Sequence, residues 1–272
     1  MRKISADYIF PVSSPPIKNG VVVVDDEGVI ASPLPVRQAG PAPLLGERGD
    51  VERHDGIIIP GFVNAHCHLE LSHLKGKISE QKGLTGFFSE LLPQKDKFSP
   101  ELIRSAIESA EGEMLRNGIV AVGDISNTDH SFEQKKKKRL AYHTFIETFD
   151  LIAEKAEEKF KEAQTLKLKL KNLNSSIVPH APYTVTGKLM ELIDNLKQPI
   201  LSIHNQEAAS ERELFASGTG PLAELMQKAG IDLDQKRRAK SSLLFTFGEL
   251  MESRKKLTNY QTLIRLKGIL LV

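Results

Sequence analysis

Ile57-Ile58-Ile59-Pro60-Gly61-Phe62-Val63-Asn64-Ala65-His66-Cys67-His68-Leu69-Glu70-Leu71-Ser72 is the stretch on which the reading of this chain turns. An apolar run leads into two histidines separated by one residue, which predicts a buried strand over Ile57–His66. Side chains of an extended strand alternate faces, so His66 and His68 point the same way and Cys67 points the other. Neutral imidazole is the commonest transition-metal ligand, and two of them at one strand end leave positions for water and a substrate. The same spacing also fits a pair of partly exposed strand histidines with no ligand.

Outward from this stretch the chain alternates apolar strands with helical segments. Further strands are expected at Ile119–Ile125, Leu140–Phe149, Ser176–His180, Ile200–His204 and Ile269–Val272. Between them Glu101–Asn117 reads as a helix, with Ser99 as N-cap, Pro100 in the first turn and Gly118 just past the end. Helical periodicity also covers Asp150–Lys171, Lys188–Lys197 and Pro221–Ala229, and Ser72–Phe98 reads as a loop or short-helix cover. Strands alternating with helices imply parallel pairing and right-handed crossovers, an α/β fold. Before position 57 the pattern differs: Tyr8–Val12 and Gly20–Ile30 read as short strands, the second folded at Asp25–Gly28, with a Pro- and Gly-rich loop over 33–46. Two regions follow, a small β segment over 1–56 and an α/β region over 57–272.

The totals narrow the function. At 272 residues, 40% hydrophobic and 26% charged, the chain can bury a sizeable core. Lys and Arg number 37 against 35 Asp and Glu, a net charge of +2, so no long-range field favours nucleic acid or an anionic membrane and a small-molecule partner is expected. A single cysteine excludes an internal disulfide and any C-x-x-C metal site, leaving His, Asp and Glu as ligands. The opening Met-Arg-Lys-Ile-Ser-Ala-Asp-Tyr leads into no signal-peptide core and no apolar run reaches membrane-spanning length, which predicts a cytoplasmic protein.

Other strand ends carry chemistry-bearing residues. His204 closes Pro199-Ile200-Leu201-Ser202-Ile203-His204 and is either a third ligand on the rim of His66 and His68 or a core-edge histidine. Glu207, three residues on, is placed to move protons over a bound ion, or to form a surface salt bridge. His180, in Pro179-His180-Ala181-Pro182-Tyr183-Thr184, ends the fourth strand between prolines and reads as a substrate contact or a structural residue. Asp124 and Glu147 end strands too, where a carboxylate either faces the pocket or caps and pairs. Glu70 and His73 are expected to line the mouth, with Glu70 a substrate-contacting candidate, and Cys67 to be a buried thiol on the helix side. The cation run Lys135–Arg139 reads as a solvated helix face in preference to a phosphate grip.

Taken together, Pro60-Gly61-Phe62-Val63-Asn64-Ala65-His66-Cys67-His68-Leu69-Glu70, Pro179-His180-Ala181-Pro182-Tyr183 and Ile203-His204-Asn205-Gln206-Glu207 resemble the amidohydrolase superfamily, in its deaminase and chlorohydrolase branch. His66-Cys67-His68-Leu69-Glu70-Leu71-Ser72 is similar to the aminodeoxyfutalosine deaminases within it. The resemblance implies a (β/α)8 TIM barrel with a small N-terminal β-sandwich segment. It implies that His66, His68 and His204 hold one divalent ion, zinc or else iron, that Glu207 shuttles protons and that His180 contacts substrate. The implied reaction is hydrolytic deamination of a cyclic amidine in a purine-nucleoside-like or aminodeoxyfutalosine-like substrate. Triazine-type dechlorination at the same site is the alternative. The binuclear relatives' lysine at the end of the fourth strand has no counterpart in Ser176–Tyr183, which favours a single ion. The branch's further histidine after strand six and aspartate after strand eight also have no counterpart, and 57–272 is shorter than the roughly 250 residues such a barrel uses. The expectation is therefore an incomplete barrel of about strands one to six, with weak ion binding, doubtful turnover and self-association across an open edge. An inactive, metal-binding remnant is the corresponding non-enzymatic reading.

Overall fold

The computed structural model describes residues 2–34, 51–95, 97–233, 241–242, 245–246 and 269–271. The chain divides into two compact units, Met1–Phe62 and Val63–Val272.

In the first unit seven short strands form two small sheets. They are β1 (Arg2–Ser5), β2 (Tyr8–Ile9), β3 (Ile17–Lys18), β4 (Val21–Val24), β5 (Ile30–Leu34), β6 (Val51–Arg53) and β7 (Ile57–Ile58), in the orders β5-β4-β1-β6 and β3-β2-β7. The expected hairpin is present, with β4 and β5 antiparallel. Its turn is made by Asp25, whose carboxylate accepts from Glu27 N at 3.0 Å and Val29 N at 2.8 Å, and by Gly28 at φ 84°. Of the loop expected over 33–46, residues 33 and 34 belong to β5 and the remainder lies outside the described residues.

In the second unit β8 (Phe62–Cys67), β9 (Ile119–Ser126), β10 (Ala141–Thr148) and β11 (Ser175–Pro179) form one sheet in the order β11-β10-β9-β8, with β10 parallel to both β9 and β11. A second, parallel pair joins β12 (Leu201–Ile203) to β13 (Ile269–Leu271). One backbone hydrogen bond, His204 N to His180 O at 2.9 Å, links the two groups at their C-terminal ends. Lower down, the Gln198 side chain stands in for a strand neighbour by exchanging two 2.7 Å hydrogen bonds with the Ile177 peptide. The strand expected over Ile57–His66 is two strands, β7 and the start of β8. Pro60 brings no N–H to a ladder and Gly61 adds freedom, so the chain leaves one sheet before entering the other.

Seven helices are described: α1 (Gly83–Gln94), α2 (Pro100–Arg116), α3 (Phe132–Lys136), α4 (Ala156–Leu168), α5 (Gly187–Asp194), α6 (Ala209–Ser217) and α7 (Pro221–Lys228). Helix α2 starts where its signals place it: the Ser99 hydroxyl accepts from Leu102 N at 3.3 Å, and Gly118 leaves the helix at φ 76°. It buries Ile103, Ile107 and Met114 against Val122 and Tyr142 of the sheet. Helix α4 begins later than expected because Leu151 takes φ 56° and Asp150 is spent on the next helix. The Asp150 carboxylate accepts from Thr186 N at 2.8 Å and Thr186 Oγ1 at 2.5 Å, and Thr186 caps α5. Helix α6 has no clear apolar stripe in the sequence, since only Leu214, Phe215 and the carboxylic Glu211 are buried on it. Helix α1 lies within the expected cover segment.

Lys135 corrects the reading of the cation run. Lys136, Lys137 and Arg139 are exposed, but Lys135 is fully buried, 2.5 Å from Asp124 Oδ2 and hydrogen-bonded to Ser126 and Thr144. It shares a helix face with Phe132, three residues earlier, and that face packs on the sheet. Among the described residues no helix is long and apolar enough to cross a membrane.

Candidate active site

The C-terminal ends of parallel strands are where side chains from separate elements meet. His66 lies at the end of β8, and His68 enters the 3-10 turn Leu69–Leu74 that follows. Glu147 is the next-to-last residue of β10, while His180 and His204 directly follow β11 and β12. His66, His68 and His204 converge: their ring centroids are 4.9 Å (66–68), 4.8 Å (66–204) and 5.3 Å (68–204) apart. One ligand atom from each lies within 4.8 Å of the others, and the Nδ1 atoms of all three are buried without a hydrogen-bond partner. An unpaired buried polar atom costs about 1–3 kcal/mol, so three in one place are a donor set waiting for a common partner. The residues fit a divalent cation of the kind imidazole prefers.

The electrostatics sort these groups. Burial holds His66 down at about 4, with His68 and His204 adding to it, and burial likewise lowers His68 and His180. Neutral imidazoles are the ligating form. His204 differs: burial works against its charge, but Glu147 and Glu207 outweigh it and lift the ring to about 9. Its Nε2 is 3.3 Å from Glu147 Oε1 and its Nδ1 is 3.1 Å from Glu207 Oε1, both at ion-pair distance. Burial would raise Glu147, yet His180, His204 and His68 hold it below the ordinary carboxylate range.

Glu207 is aimed by its neighbours. Gln206 takes the left-handed conformation, φ 62°, which turns the chain back after β12. The Glu207 amide donates to Glu211 Oε2 at 2.9 Å, and Tyr183 Oη donates to Glu207 Oε2 at 3.2 Å. Asn205, between His204 and Glu207, is fixed through Thr246 and Ser242. His180 is oriented too: Thr184 Oγ1 gives its only proton to Ala181 O, so at 2.7 Å it accepts from His180 Nδ1, leaving Nε2 as an acceptor. Tyr183 and Glu211 carried no individual signal in the sequence, although Tyr183 stands inside the motif with His180.

Glu70 and His73 fall outside the imidazole cluster and are buried. The Glu70 carboxylate accepts from Asn127 N, Thr128 N and Thr128 Oγ1, at 3.0, 3.0 and 2.7 Å, and the His73 ring bridges Glu70 O and Lys95 O. Asp124 takes the pairing alternative, with Lys135 and with Leu69 N at 2.8 Å, whereas Glu147 takes the pocket. Cys67 packs against the α2 side of the sheet, as expected, and burial pushes its thiol up to about 12.

Comparison with known proteins follows the same residues. The family model for the amidohydrolase family matches residues 57–218. An aminodeoxyfutalosine deaminase of Deinococcus radiodurans is 27% identical over 237 residues, 81% of this chain and 53% of its own. A solved Helicobacter pylori aminofutalosine deaminase, in complex with methylthio-coformycin, superposes with a TM-score of 0.68 at 22% identity, over 84% of this chain and 56% of that one. An adenosine deaminase from Xanthomonas campestris with bound zinc gives 0.58 at 23% identity, over 84% and 54%. These likenesses imply a fold of the (β/α)8 barrel type. The chain spans about half the length of the curated relatives it matches.

Proposed function

The chain belongs to the amidohydrolase family, and from that premise we propose that its rim is the centre of a hydrolytic deaminase acting on the cyclic amidine of a small heterocycle. A purine-nucleoside-like or aminodeoxyfutalosine-like ring is the substrate class, by analogy with the relatives' own names. The observation that carries the reading is the convergence of His66, His68 and His204, from two strand ends distant in sequence, with three buried Nδ1 atoms that make no hydrogen bond.

These three residues would hold one divalent ion, zinc before iron. When bound, such an ion supplies Lewis acidity that makes water a nucleophile near neutral pH. The chain's own groups do the rest. Glu207 takes a proton from water and returns it to the ring nitrogen, steadied through Oε2 by Tyr183. Water oxygen bonds to the amidine carbon, the second proton of the added hydroxyl passes through Glu207 to the exocyclic nitrogen, and the C–N bond breaks, so that ammonia leaves and a carbonyl remains. His180 offers Nε2 to a substrate donor, and Glu70 serves through the 127–128 loop it holds. The six parallel strands belong, in this reading, to an amidohydrolase barrel.

Metal analysis of the purified chain, with ammonia release followed across adenosine-like nucleosides, guanine and aminotriazines, tests the proposal. One equivalent of metal and ammonia from at least one purine-like ring is the expected result. A folded sample that takes up no divalent ion sinks it, and chloride release from chlorotriazines without ammonia would move the leaving group. Metal uptake with no turnover at all would leave a binding protein in place of an enzyme.

A further inference from the structure

One buried carboxylate at the rim has no part in the steps above. Glu147 Oε1 lies 3.3 Å from His204 Nε2, and Glu147 Oε2 accepts from Asn127 Nδ2 at 3.1 Å. The same Asn127 amide is 3.2 Å from the Glu147 carbonyl, so it grips the residue at two points. Asn127 in turn is set by its backbone, because Asn127 N and Thr128 N both donate to the carboxylate of Glu70 at 3.0 Å. Glu70 stands two residues after His68 in the 3-10 turn.

We propose that Glu147 is the positioning residue for His204, holding its ring through Nε2 so that Nδ1 faces His66 and His68, and that Asn127 and Glu70 hold Glu147 in turn. This rests on the three-imidazole reading and extends it to residues that touch no ion. An imidazole that binds through one nitrogen must carry its proton on the other, and a carboxylate at that second nitrogen fixes both tautomer and ring orientation. Two carboxylates flank His204, and exposure tells them apart. The Glu147 side chain is 4% exposed and both its oxygens are engaged within the protein, whereas Glu207 is 28% exposed. The inner one supports and the outer one works on water and substrate. The run from Glu70 through Asn127 and Glu147 to His204 also ties the segment bearing His68 to the one bearing His204, although 136 positions separate the two histidines by their numbers (204 − 68 = 136).

Glu147, His180 and His204 also place ligand atoms within 4.8 Å of one another, as a second ion site would. In such a site Glu147 Oε1 and His204 Nε2, 3.3 Å apart, would bind an ion instead of each other, and the stoichiometry of metal uptake separates the two arrangements.

The test uses the full chain, stripped of metal and titrated with Co(II), followed by its visible absorption and by Zn(II) competition against a chelator. Glu147→Leu should weaken both ions by about 10–100-fold and change the cobalt spectrum, as loss of an outer partner does. Glu147→Gln keeps an acceptor for Nε2–H and should recover part of that loss. Asn127→Ala, at an exposed loop position, should show a smaller loss in the same direction, and carries the test if Glu147→Leu does not fold. Unchanged affinity and spectrum in folded variants overturn the proposal while leaving the three-imidazole reading intact. Two equivalents of cobalt in the parent chain, one of them lost in Glu147→Leu, overturn it in favour of a second ion. A parent chain that binds neither metal overturns both readings.

Discussion

On the α2 and α3 side of β9, Lys135 Nζ meets Asp124 Oδ2 at 2.5 Å, and Ser126, Thr144 and the Leu69 amide fill the remaining hydrogen-bond positions. At the strand ends of the same unit, the Nδ1 atoms of His66, His68 and His204 are buried and make no hydrogen bond, and only that of His204 has a carboxylate, Glu207, at ion-pair distance. Both clusters are polar, interior and built from several elements. The first is closed by protein groups, so it can only be structural; the second is incomplete without something from outside. Burial of polar residues therefore does not mark a site by itself, whereas burial with unmet bonding capacity does.

The largest effect should come from opening the closed cluster. Lys135→Met leaves Asp124 charged and unpaired, and should cost about 3–5 kcal/mol in urea unfolding, while the double change Lys135→Met with Asp124→Leu should recover most of that loss. A single variant as stable as the parent would erase the distinction between the clusters. Next comes closing the open cluster: zinc at a hundredfold excess over its dissociation constant should stabilise the parent by about 2.7 kcal/mol in a thermal melt. His68→Ala should abolish that gain yet cost little without metal, since its Nδ1 has no partner to lose. Gly123 holds β8 and β9 together between the clusters, because a Cβ there would lie 2.5 Å from Ala65 O and 3.1 Å from Phe145 Cε2. Gly123→Ala should therefore cost about 1–3 kcal/mol by overpacking and loosen zinc binding along with stability. The smallest effect sharpens the contrast by its absence: with its thiol pushed up to about 12, Cys67 should stay silent to a disulfide reagent at pH 8 and react only once the chain unfolds.

Much of this was readable in advance where the reading needed only local pattern. The α2 caps, the Asp25 turn and the parallel strands from β9 to β12 follow from residue type and periodicity over a few positions. Lys135 is buried against its local pattern, because a run of five cations suggests solvent and the counter-signal, Phe132 three residues earlier on the same face, is a single residue. The stretch from Ile57 reads as one strand because its apolar content is continuous; Pro60 divides it by lacking a donor, which hydrophobicity does not register. The local sequence leaves Glu147 open between pocket and cap, since nothing near it in the chain names its partners: His204 is 57 positions away by residue number (204 − 147 = 57).

His66 and His68, by their spacing on one strand, and the match of their motif to a family, were determined by the amino-acid order alone, because strand geometry turns a gap of two into a shared direction. The tertiary structure alone decided that His204 joins them, that Glu147 stands behind it and Glu207 before it, and that Asp124 turns to Lys135 instead. The reason is distance along the chain: alternation and capping act over a few residues, whereas a convergent donor set exists only once parallel strands bring their ends to one rim.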